Sequence, residues 1–401
     1  MLRGKTIVIG VTGSIAAYKA ADLTSTLIKA GCDVHVVMTE NAKHFINPIT
    51  FETLTNHKCL VETFDRNFEF HVAHVSLSQK ADLMVIAPAT ANIIGKMAHG
   101  IADDMLSTMT LAATCPIIVA PAMNTHMYRN AVVQDNIARL SSMGMTMVTP
   151  ATGRLACACI GEGKLPDTEV LMSYIRRVVA YDKDLIGRKV LVTAGPTQES
   201  LDPVRYVSNH STGKMGYAIA KAAMERGAEV TLVSGPTALQ PPMFVEVLSV
   251  TTAHEMFEAV RDNMNSADYI VKAAAVADYT SSVVAEEKIK KSGNALSLDM
   301  VRTTDILKYV GEHRKDNQVI CGFSMETECL VENSRKKLVS KNVDIIVANN
   351  LKMPGAGFGV DTNVVTLITA DEVIPLDIMS KEEVAHNLLD KLLTIEKSRT
   401  S

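Results

Sequence analysis

The hydrophobic positions in the first half of the chain fall into short uninterrupted runs separated by segments with helical spacing. Short apolar runs are typical of strands buried on both faces, whereas apolar residues three or four positions apart indicate helices. These rules predict strands at 6–11, 34–38, 83–87, 117–120 and 146–149, and helices at 14–30, across 92–113, at 131–143 and at 168–181. Strands that alternate with helices predict an α/β fold with a doubly wound, mostly parallel sheet.

The same pattern starts again after a charged stretch at 181–187. The segment 188–195 resembles the start of the chain, and the pattern further predicts a helix at 215–226, a buried strand at 271–278 and a helix at 331–341. A chain of 401 residues is long enough for two domains of about 150 to 200 residues each. We therefore expect two Rossmann-like domains, at 1–182 and 187–401.

Composition excludes several classes of protein. The chain is 47% hydrophobic, and its net charge of −4 comes from mixed signs, so no basic face for nucleic acid is indicated. Its seven cysteines are scattered without a C-x-x-C pair, which favours a reducing compartment. No apolar run approaches the length of about 18 residues that a membrane span requires. We expect a cytoplasmic protein that binds neither nucleic acid nor membranes.

Polar residues follow the predicted strands of the first half. Pro121 should end the pairing of the strand at 117–120 and is followed by Met123 and Asn124. The strand at 83–87 leads to Thr90 and Asn92. The carboxyl ends of parallel strands lie at one edge of a sheet, where open α/β sheets bind ligands. These side chains are therefore expected at one rim. Asn124 taken alone is better explained as the cap of the next helix.

The turn after the first strand indicates an anion site. Gly13 and Ser14 would present backbone N–H groups and a hydroxyl at the start of a helix. The segment 10–16 lacks the G-x-G spacing of the dinucleotide-binding fingerprint, which disfavours an NAD(P)-dependent oxidoreductase. A single phosphate, as in FMN, fits this turn better.

The segment 151–167 interrupts the alternating pattern with several glycines, and we predict a mobile flap over the rim. It contains Cys157 and Cys159. A zinc site built from these cysteines with His71 and His74 is disfavoured, because the C-x-C spacing fits no common zinc pattern.

A long insertion at 196–216 separates the first strand and helix of the second domain. It carries Arg205 and Asn209, and loops of this kind usually bind a ligand. It is not a Walker phosphate loop, because Ser208 and Met215 occupy positions where that motif needs other residues.

Three lysines further along suit a polyphosphate ligand. Lys337 and Lys341 share one face of the predicted helix, and carboxylates are not interleaved with them. Lys288 lies in an earlier basic cluster, and Asp278 follows the predicted strand at 271–278. Together these cations are natural partners for phosphate groups.

Several motifs, taken together and in this order, resemble a known family. They are GSIAAYK at 13–19, APATAN at 87–92, PAMN at 121–124, AC at 156–157, AGPTQE at 194–199, DPVRYVSNHSTGKMG at 202–216, AAAVADY at 273–279 and EKIKK at 287–291. The chain resembles, nearly end to end, the bifunctional phosphopantothenoylcysteine decarboxylase and phosphopantothenate–cysteine ligase of coenzyme A biosynthesis. The resemblance implies an N-terminal flavodoxin-like FMN domain and a C-terminal ligase domain.

For the first domain, the resemblance implies FMN-dependent decarboxylation of 4′-phosphopantothenoylcysteine. His74 would be the acid–base group, Asn124 would hold the substrate carboxylate with Met123 in the same site, and Cys157 would be the proton donor of the flap. FMN contacts are implied at Gly13, Ser14, Thr39, Thr90, Asn92 and Ser107.

For the second domain, the resemblance implies ligation of 4′-phosphopantothenate with cysteine through an acyl-cytidylate made from CTP with Mg²⁺. Lys288 would act in acyl-cytidylate formation, and Asn209 with Arg205 would act on that intermediate and the incoming cysteine. CTP contacts are implied at Asp278, Lys288, Thr303, Thr304, Asp305, Ile306, Phe323, Lys337 and Lys341.

The resemblance also implies a homo-oligomer, in which trimers of the first domain and dimers of the second form a dodecamer. Three departures from the family pattern leave the central assignments unchanged, and one of them is Asn350, where the family usually has an acid. Thr303 and Thr304 stand where Asn-Pro is common, and Cys159 follows Cys157 closely enough to substitute for it. An FMN-binding regulatory protein without turnover is the alternative function.

Overall fold

The computed structural model describes residues 2–63, 73–154, 160–290, 296–326, 329–350, 357 and 359–400, with the backbone alone at 73–75, 326, 350 and 400. Two compact units make up the chain, Met1–Asp182 and Lys183–Ser401. Within the described part of the chain, no helix combines the length and apolar character needed to cross a bilayer.

The first unit is built on a parallel sheet. Its strands are β1 (Thr6–Val11), β2 (Asp33–Met38), β3 (Leu83–Ala89), β4 (Ile117–Pro121), β5 (Thr146–Met147), β6 (Ala151–Arg154) and β7 (Ile160–Lys164). Its helices are α1 (Ala17–Lys29), α2 (Pro48–Thr55), α3 (Ala73–Lys80), α4 (Ala91–His99), α5 (Met105–Ala112), α6 (Thr125–Tyr128), α7 (Ala131–Ser142) and α8 (Thr168–Val179), with a 3₁₀ turn at Glu40–His44. The sheet order is β2-β1-β3-β4-β5, with all neighbours parallel.

The central strands of this sheet are apolar because both of their faces are covered. Every residue of β1, β3 and β4 is buried. Val8, Ile86 and Val119 pack with α4 and α5 in one core, while α1 contacts β1, β2 and β3. The predicted parallel sheet is confirmed.

Three details of the first unit differ from the sequence prediction. Helix α1 begins at Ala17 rather than at Ser14, because the residues from Thr12 to Ser14 form a turn closed by a bond from Ser14 N to Thr12 O of 2.8 Å. Strand β4 ends at Pro121 as predicted but includes this residue, since a shift in register after Ile86 pairs Pro121 with Ala89. The flap prediction was also incomplete, because β6 and β7 form an antiparallel hairpin.

The second unit holds a larger mixed sheet. Its strands are β8 (Lys189–Ala194), β9 (Gln198–Ser200), β10 (Tyr206–Ser208), β11 (Glu229–Ser234), β12 (Glu246–Ser249), β13 (Tyr269–Lys272), β14 (Tyr279–Ser281), β15 (Met300–Arg302), β16 (Val319–Glu326), β17 (Ile345–Asn350), β18 (Thr362–Asn363), β19 (Val365–Ile368), β20 (Val373–Pro375) and β21 (Met379–Ser380). Its helices are α9 (Lys214–Glu225), α10 (Ala253–Met264), α11 (Ile306–Glu312), α12 (Leu330–Ser340) and α13 (Lys381–Thr400).

The main sheet of this unit has the order β12-β11-β8-β13-β16-β17-β19-β20. Its strands are parallel from β12 to β17, and β19 and β20 are antiparallel. Alternate residues of β8 face opposite sides. Val190 and Val192 pack in a core with α9 and α13, while Leu191 packs in another core with α10. Helices on both faces make this a second doubly wound sheet, as predicted.

The predicted strand at 271–278 ends early, at Lys272. The residues after it bond to a side chain of β8 and to the loop that follows β8. Ala274 N donates to Thr193 Oγ1 at 3.1 Å, and Ala275 N donates to Gly195 O at 2.9 Å. The segment from 273 to 277 therefore forms part of the rim of the sheet.

We expect Gly216→Ala to destabilise the second unit by about 1–3 kcal/mol through overpacking. A Cβ on Gly216, in α9, would lie 2.5 Å from Ala194 Cβ and 2.9 Å from Thr193 O in β8. This clash outweighs the gain of about 1 kcal/mol that alanine brings to a helix interior. The free energy of unfolding in denaturant is the measurement.

Gly95→Ala, in α4, is the matched control, because its Cβ would meet nothing closer than Asn136 Nδ2 at 3.8 Å. That substitution should leave the first unit unchanged or slightly stabilised. Equal stabilisation by both substitutions would show that the contact between α9 and β8 is looser than described.

Candidate functional site

The first unit has a cleft at the point where the strand order of its sheet reverses. In an order of the type 2-1-3-4-5, a crevice opens between β1 and β3 outside their carboxyl ends. A cleft of about 510 Å³ lies there, and it is lined by Gly13, Ser14, Ile15, Ala16, Tyr18, Lys19, Thr90, Ala91, Ala122, Met123, Asn124, Met127, Arg154, Gly163, Lys164 and Leu165. The structure thus brings together the predicted residues Gly13, Ser14, Thr90, Met123 and Asn124.

Thr12 joins the two strands that border this cleft. Its hydroxyl donates to Pro88 O at 2.7 Å and accepts from Thr90 N at 3.1 Å. The side chain is 1% exposed, so both bonds are shielded from water. Sequence reasoning missed Thr12, although a polar residue directly between a buried strand and a glycine turn is a usable signal.

Asn124 is a helix cap that also lines the cleft. Its side-chain oxygen accepts from His126 N at 2.8 Å, which is the capping bond of α6. The prediction that Asn124 caps the next helix is therefore confirmed for its side-chain oxygen. The cap also holds the amide in place at the rim of the cleft, where it is half-buried.

The hairpin of β6 and β7 is fixed to the loop after β4. Met123 N donates to Gly163 O at 3.0 Å, and Thr125 Oγ1 donates to Glu162 O at 2.8 Å. A glycine is required at 163, because φ is +112° and a Cβ would lie 2.3 Å from Met123 O. The hairpin thereby places Arg154, at the end of β6, beside the cleft.

Two hydroxyl groups at the ends of β1 and β2 suit a phosphate. Thr39 Oγ1 is buried and has no hydrogen-bond partner among the described residues. Thr39 lies next to β1, because its backbone N donates to Val11 O at 3.0 Å. Ser14 Oγ accepts from Ala16 N at 3.3 Å, and no described group accepts its proton. A buried polar atom without a partner favours a ligand that supplies one.

Three predicted FMN contacts do not line this cleft, namely Thr39, described above, and Asn92 and Ser107, which lie elsewhere. Asn92 is exposed on α4 and does not line the cleft. Ser107 is buried in a capping box with Asp104, where Ser107 N donates to Asp104 Oδ1 at 2.8 Å, and it lines a separate cleft of about 480 Å³. Burial raises the pKa of Asp104, but bonds from Lys96 and Ser107 outweigh this and lower it.

The other predicted catalytic groups of this unit are only partly described. His74 is the second residue of α3, and only its backbone is described. A helix that precedes a parallel strand runs opposite to it, so the start of α3 lies at the carboxyl edge of the sheet, where the cleft is. Cys157, Cys159 and His71 lie outside the described residues.

One described group in the first unit offers three possible metal ligands, Asp33, His35 and His57. The two imidazole rings stack at 4.1 Å with planes 16° apart. Nε2 of each ring faces the Asp33 carboxylate, at 3.4 Å for His35 and 2.8 Å for His57. Lys80 Nζ also lies 3.0 Å from Asp33. This group is an ion-pair cluster, and none of its members lines the cleft.

The second unit has two adjoining clefts at the carboxyl end of β13, and the one lined by Asn209 and Gly213 lies at the equivalent place. Its parallel strands follow the order 3-2-1-4-5-6, so the order reverses between β8 and β13. A polar cleft of about 390 Å³ is lined by Lys272, Val276, Asp278, Tyr279, Arg302, Thr303, Thr304, Asp305 and Ile306. A second cleft of about 340 Å³ is lined by residues that include Asn209, Gly213, Lys214, Lys272, Val276, Asp278, Phe323, Lys337 and Asn349.

Most of the predicted nucleotide contacts line these clefts. Asp278 lines both, the segment 303–306 lines the first, and Phe323 and Lys337 line the second. Lys341 lines neither cleft but forms an ion pair with Asp305. Thr303 is held in place because its backbone N donates to Asp278 O at 3.0 Å.

The predicted insertion is braced by Asp202, which sequence reasoning missed. Asp202 is 2% exposed and accepts from Val204 N, Arg205 N and Ile289 N at 2.8 to 3.1 Å. Burial raises the pKa of Asp202, but these backbone bonds and the Arg205 guanidinium outweigh it and lower the pKa. Because Ile289 is held there, the exposed Lys288 next to it is kept close to the insertion.

Asn209 connects the insertion to the rim of the sheet. Its Nδ2 donates to Ala275 O at 3.0 Å. Arg205 Nη2 donates to Ile289 O at 2.6 Å. The structure therefore brings Asn209 into a cleft, whereas Arg205 supports the segment that carries Lys288.

Lys272 is a further residue that sequence reasoning missed. It is the last residue of β13, is half-buried and lines both clefts. Burial lowers the pKa of Lys272 to about 8, against the opposing effects of Asp305 and Asp278, and Lys341 lowers it further. A lysine at the carboxyl end of a central parallel strand was the available signal.

Comparison with known proteins covers both units. The Flavoprotein family matches residues 1–180, and the DNA/pantothenate metabolism flavoprotein C-terminal domain matches residues 185–395. The chain is similar to the Coenzyme A biosynthesis bifunctional protein CoaBC of Bacillus subtilis (strain 168), with 45% identity over 99% of this chain and 98% of that protein. It is also similar to the protein of the same name from Escherichia coli (strain K12), with 42% identity over 98% of each.

A solved structure is similar to part of the chain. The crystal structure of the C-terminal domain of Coenzyme A biosynthesis bifunctional protein CoaBC is 46% identical, has a TM-score of 0.46, and covers 53% of this chain and 100% of that chain.

We expect Gly163→Ala to detach the hairpin from the loop after β4, because its Cβ would lie 2.3 Å from a backbone oxygen. Limited proteolysis should then cut the segment 151–167 several times faster than in the wild type. In the control Gly153→Ala, the Cβ would meet only the flexible side chain of Lys164, no closer than 3.4 Å, and the cleavage rate should not change. Equal resistance in both variants would contradict the docking of the hairpin.

Proposed function

The chain belongs to the family of the coenzyme A biosynthesis bifunctional proteins, and on this basis we propose that each unit carries out one reaction. The second unit ligates 4′-phosphopantothenate with cysteine at the expense of CTP. The first unit then decarboxylates the product to 4′-phosphopantetheine with FMN. The observation that carries this proposal is that each unit gathers residues of the family motifs around a cleft at its topological switch point.

The decarboxylation proposed for the first unit needs an electron acceptor. Loss of CO₂ from an N-acylated cysteine would leave an unstabilised carbanion. Bound FMN would take two electrons from the CH₂–SH group, so that the departing carboxylate lies β to a C=S group, and would later return them. The protein must then hold the carboxylate and move protons.

The residues of the first cleft fit these tasks. The Gly13–Ser14 turn and the unpartnered hydroxyl of Thr39 would hold the FMN phosphate. The Asn124 amide, with the cation of Arg154 beside it, would hold the substrate carboxylate. His74 would transfer the proton at the thiol, and Cys157 would protonate the decarboxylated enethiolate.

The ligase reaction begins with a poor electrophile. A carboxylate becomes reactive when its oxygen attacks the α-phosphorus of CTP and pyrophosphate leaves, and Mg²⁺ would enter as part of the CTP substrate. Asp278, the segment 303–306, Phe323, Lys337 and Lys341 would hold the nucleotide. Lys288 would stabilise the charge that forms at phosphorus, and Asn209 would orient the acyl-cytidylate for attack by the cysteine amine.

We propose that the protein acts as a cytoplasmic homo-oligomer, with trimers of the first unit and dimers of the second. Ile15, Tyr18 and Met127 beside the first cleft are 62%, 63% and 49% exposed, which supports association there. The described cysteines are free thiols, which supports a reducing compartment.

We expect Cys157→Ser to release CO₂ from 4′-phosphopantothenoylcysteine but to stop at the enethiol, because a serine hydroxyl is a far weaker acid than a thiol. Mass spectrometry of the products distinguishes the enethiol from 4′-phosphopantetheine by two hydrogens. Cys159→Ser is the matched control and should form the complete product. Normal product from Cys157→Ser would refute its role, and stalling by Cys159→Ser alone would assign the proton to Cys159.

We expect Lys288→Gln to lower pyrophosphate release from CTP by about 100-fold, the effect of removing one group that stabilises transition-state charge. Decarboxylation of supplied 4′-phosphopantothenoylcysteine should be unchanged. Lys290→Gln, in the same exposed segment, is the control and should retain both activities. Ligation that survives in Lys288→Gln would place the nucleotide elsewhere.

A further inference from the structure

Lys272 lies where the two clefts of the second unit meet. Among the described residues, only Lys272, Val276 and Asp278 line both clefts. Lys272 ends β13, one of the two strands between which the strand order reverses. A ligand with parts in both clefts must therefore pass this side chain.

The ammonium group of Lys272 has no committed counter-ion. Among the described residues, its side chain forms no hydrogen bond and no ion pair within 4.0 Å. Asp278 in the loop after β13 and Asp305 at the start of α11 favour its charged form, and Lys341 at the end of α12 opposes it. The two clefts are also lined by the cations Arg302, Lys214, Lys337 and Lys381. Asp305 is already engaged, because it accepts from Lys308 N at 3.0 Å and pairs with Lys341.

Partial burial of an ammonium group without a paired carboxylate has an unfavourable desolvation free energy. Negative charge from a ligand would offset it. The residues proposed to hold the nucleotide lie on both sides of Lys272, with the segment 303–306 in one cleft and Phe323 in the other. Asn209, which would orient the acyl group, lies in the cleft of Phe323. The point where acid and nucleotide react is therefore expected between the clefts.

We propose that Lys272 is a further catalytic residue of the ligase reaction and contacts the α-phosphate of the nucleotide at the junction of the two clefts. This role rests on the function proposed for the second unit. The carboxylate oxygen of 4′-phosphopantothenate forms a bond to the α-phosphorus, the bond from that phosphorus to the bridging oxygen breaks, and its electron pair leaves with pyrophosphate. Lys272 keeps its proton and stabilises the charge that develops on the phosphate oxygens.

The role has a consequence for the dependence on pH. Burial lowers the pKa of Lys272 to about 8 in the free protein, so the side chain is charged below that pH and neutral above it. The ratio kcat/KM for the nucleotide reports groups of the free enzyme. It should fall as the pH rises through about 8.

The test compares Lys272→Met, Lys272→Arg and the control Lys308→Met in pyrophosphate release from CTP, Mg²⁺ and 4′-phosphopantothenate. Lys308 is an exposed lysine on α11 that pairs with Glu312 at 3.7 Å. We expect kcat to fall about 100-fold in Lys272→Met, the effect of losing one transition-state contact, and to be unchanged in Lys308→Met. Lys272→Arg should retain activity and lose the decline near pH 8, because a guanidinium stays charged there.

Several results would overturn this role. One is pyrophosphate release at the wild-type rate in Lys272→Met. Another is a variant in which only amide formation is lost, which would show that Lys272 acts on the cysteine amine. If kcat/KM still declines near pH 8 in Lys272→Arg, a group other than Lys272 causes the decline. If Lys272→Met does not fold, the Lys272→Arg variant alone tests the role of Lys272. A wild type that releases no pyrophosphate from CTP would refute the proposed function itself, whereas an active wild type beside an unaffected Lys272→Met would refute this role alone.

Discussion

The direction of the strands in the two sheets determines where ligands can bind. All strands of the first sheet, and those from β12 to β17 of the second, are parallel, so each set of carboxyl ends lies at one edge. Helices cover both faces of such a sheet, and the edge is free only where successive crossovers leave in opposite directions. That reversal occurs between β1 and β3 and between β8 and β13. The candidate residues Gly13, Ser14, Thr90, Met123 and Asn124 lie at the first place, and Asn209, Asp278, Phe323 and Lys337 lie at the second.

Polar side chains buried beneath the rims keep the loops of both sites in position. In the first unit, Thr12 connects the ends of β1 and β3. In the second, Asp202 accepts from the backbone of two separate segments, including the one that carries Lys288. Neither side chain lines a described cleft. Each satisfies backbone donors or acceptors that would otherwise be unpaired at the end of a strand, and the exposed residues beside them thereby have fixed positions.

The sequence was most informative where local pattern and tertiary environment agree. The central residues of β1 and β8, such as Ile7 and Val190, are apolar because both faces of each strand are buried. The positions of these strands were predicted correctly. The extent of the strand at 271–278 was wrong, because its pairing ends where Thr193 and Gly195 offer other hydrogen-bond partners. The position of Lys272 depends on the meeting of two clefts, which no single segment encodes. The capping box of Ser107 is instead a local signal, since Asp104 stands three residues before it, and the prediction of an FMN contact overlooked it.

The central claim is that each unit binds its ligand at the reversal of strand order. A crystal structure of the protein with FMN, Mg²⁺ and a non-reactive CTP analogue tests it most directly. The account predicts the FMN phosphate within hydrogen-bonding distance of Ser14 and Thr39, and the nucleotide phosphates between the ends of β8 and β13. A flavin bound in the cleft of Ser107 and away from β1, or a nucleotide bound away from β13, would contradict it.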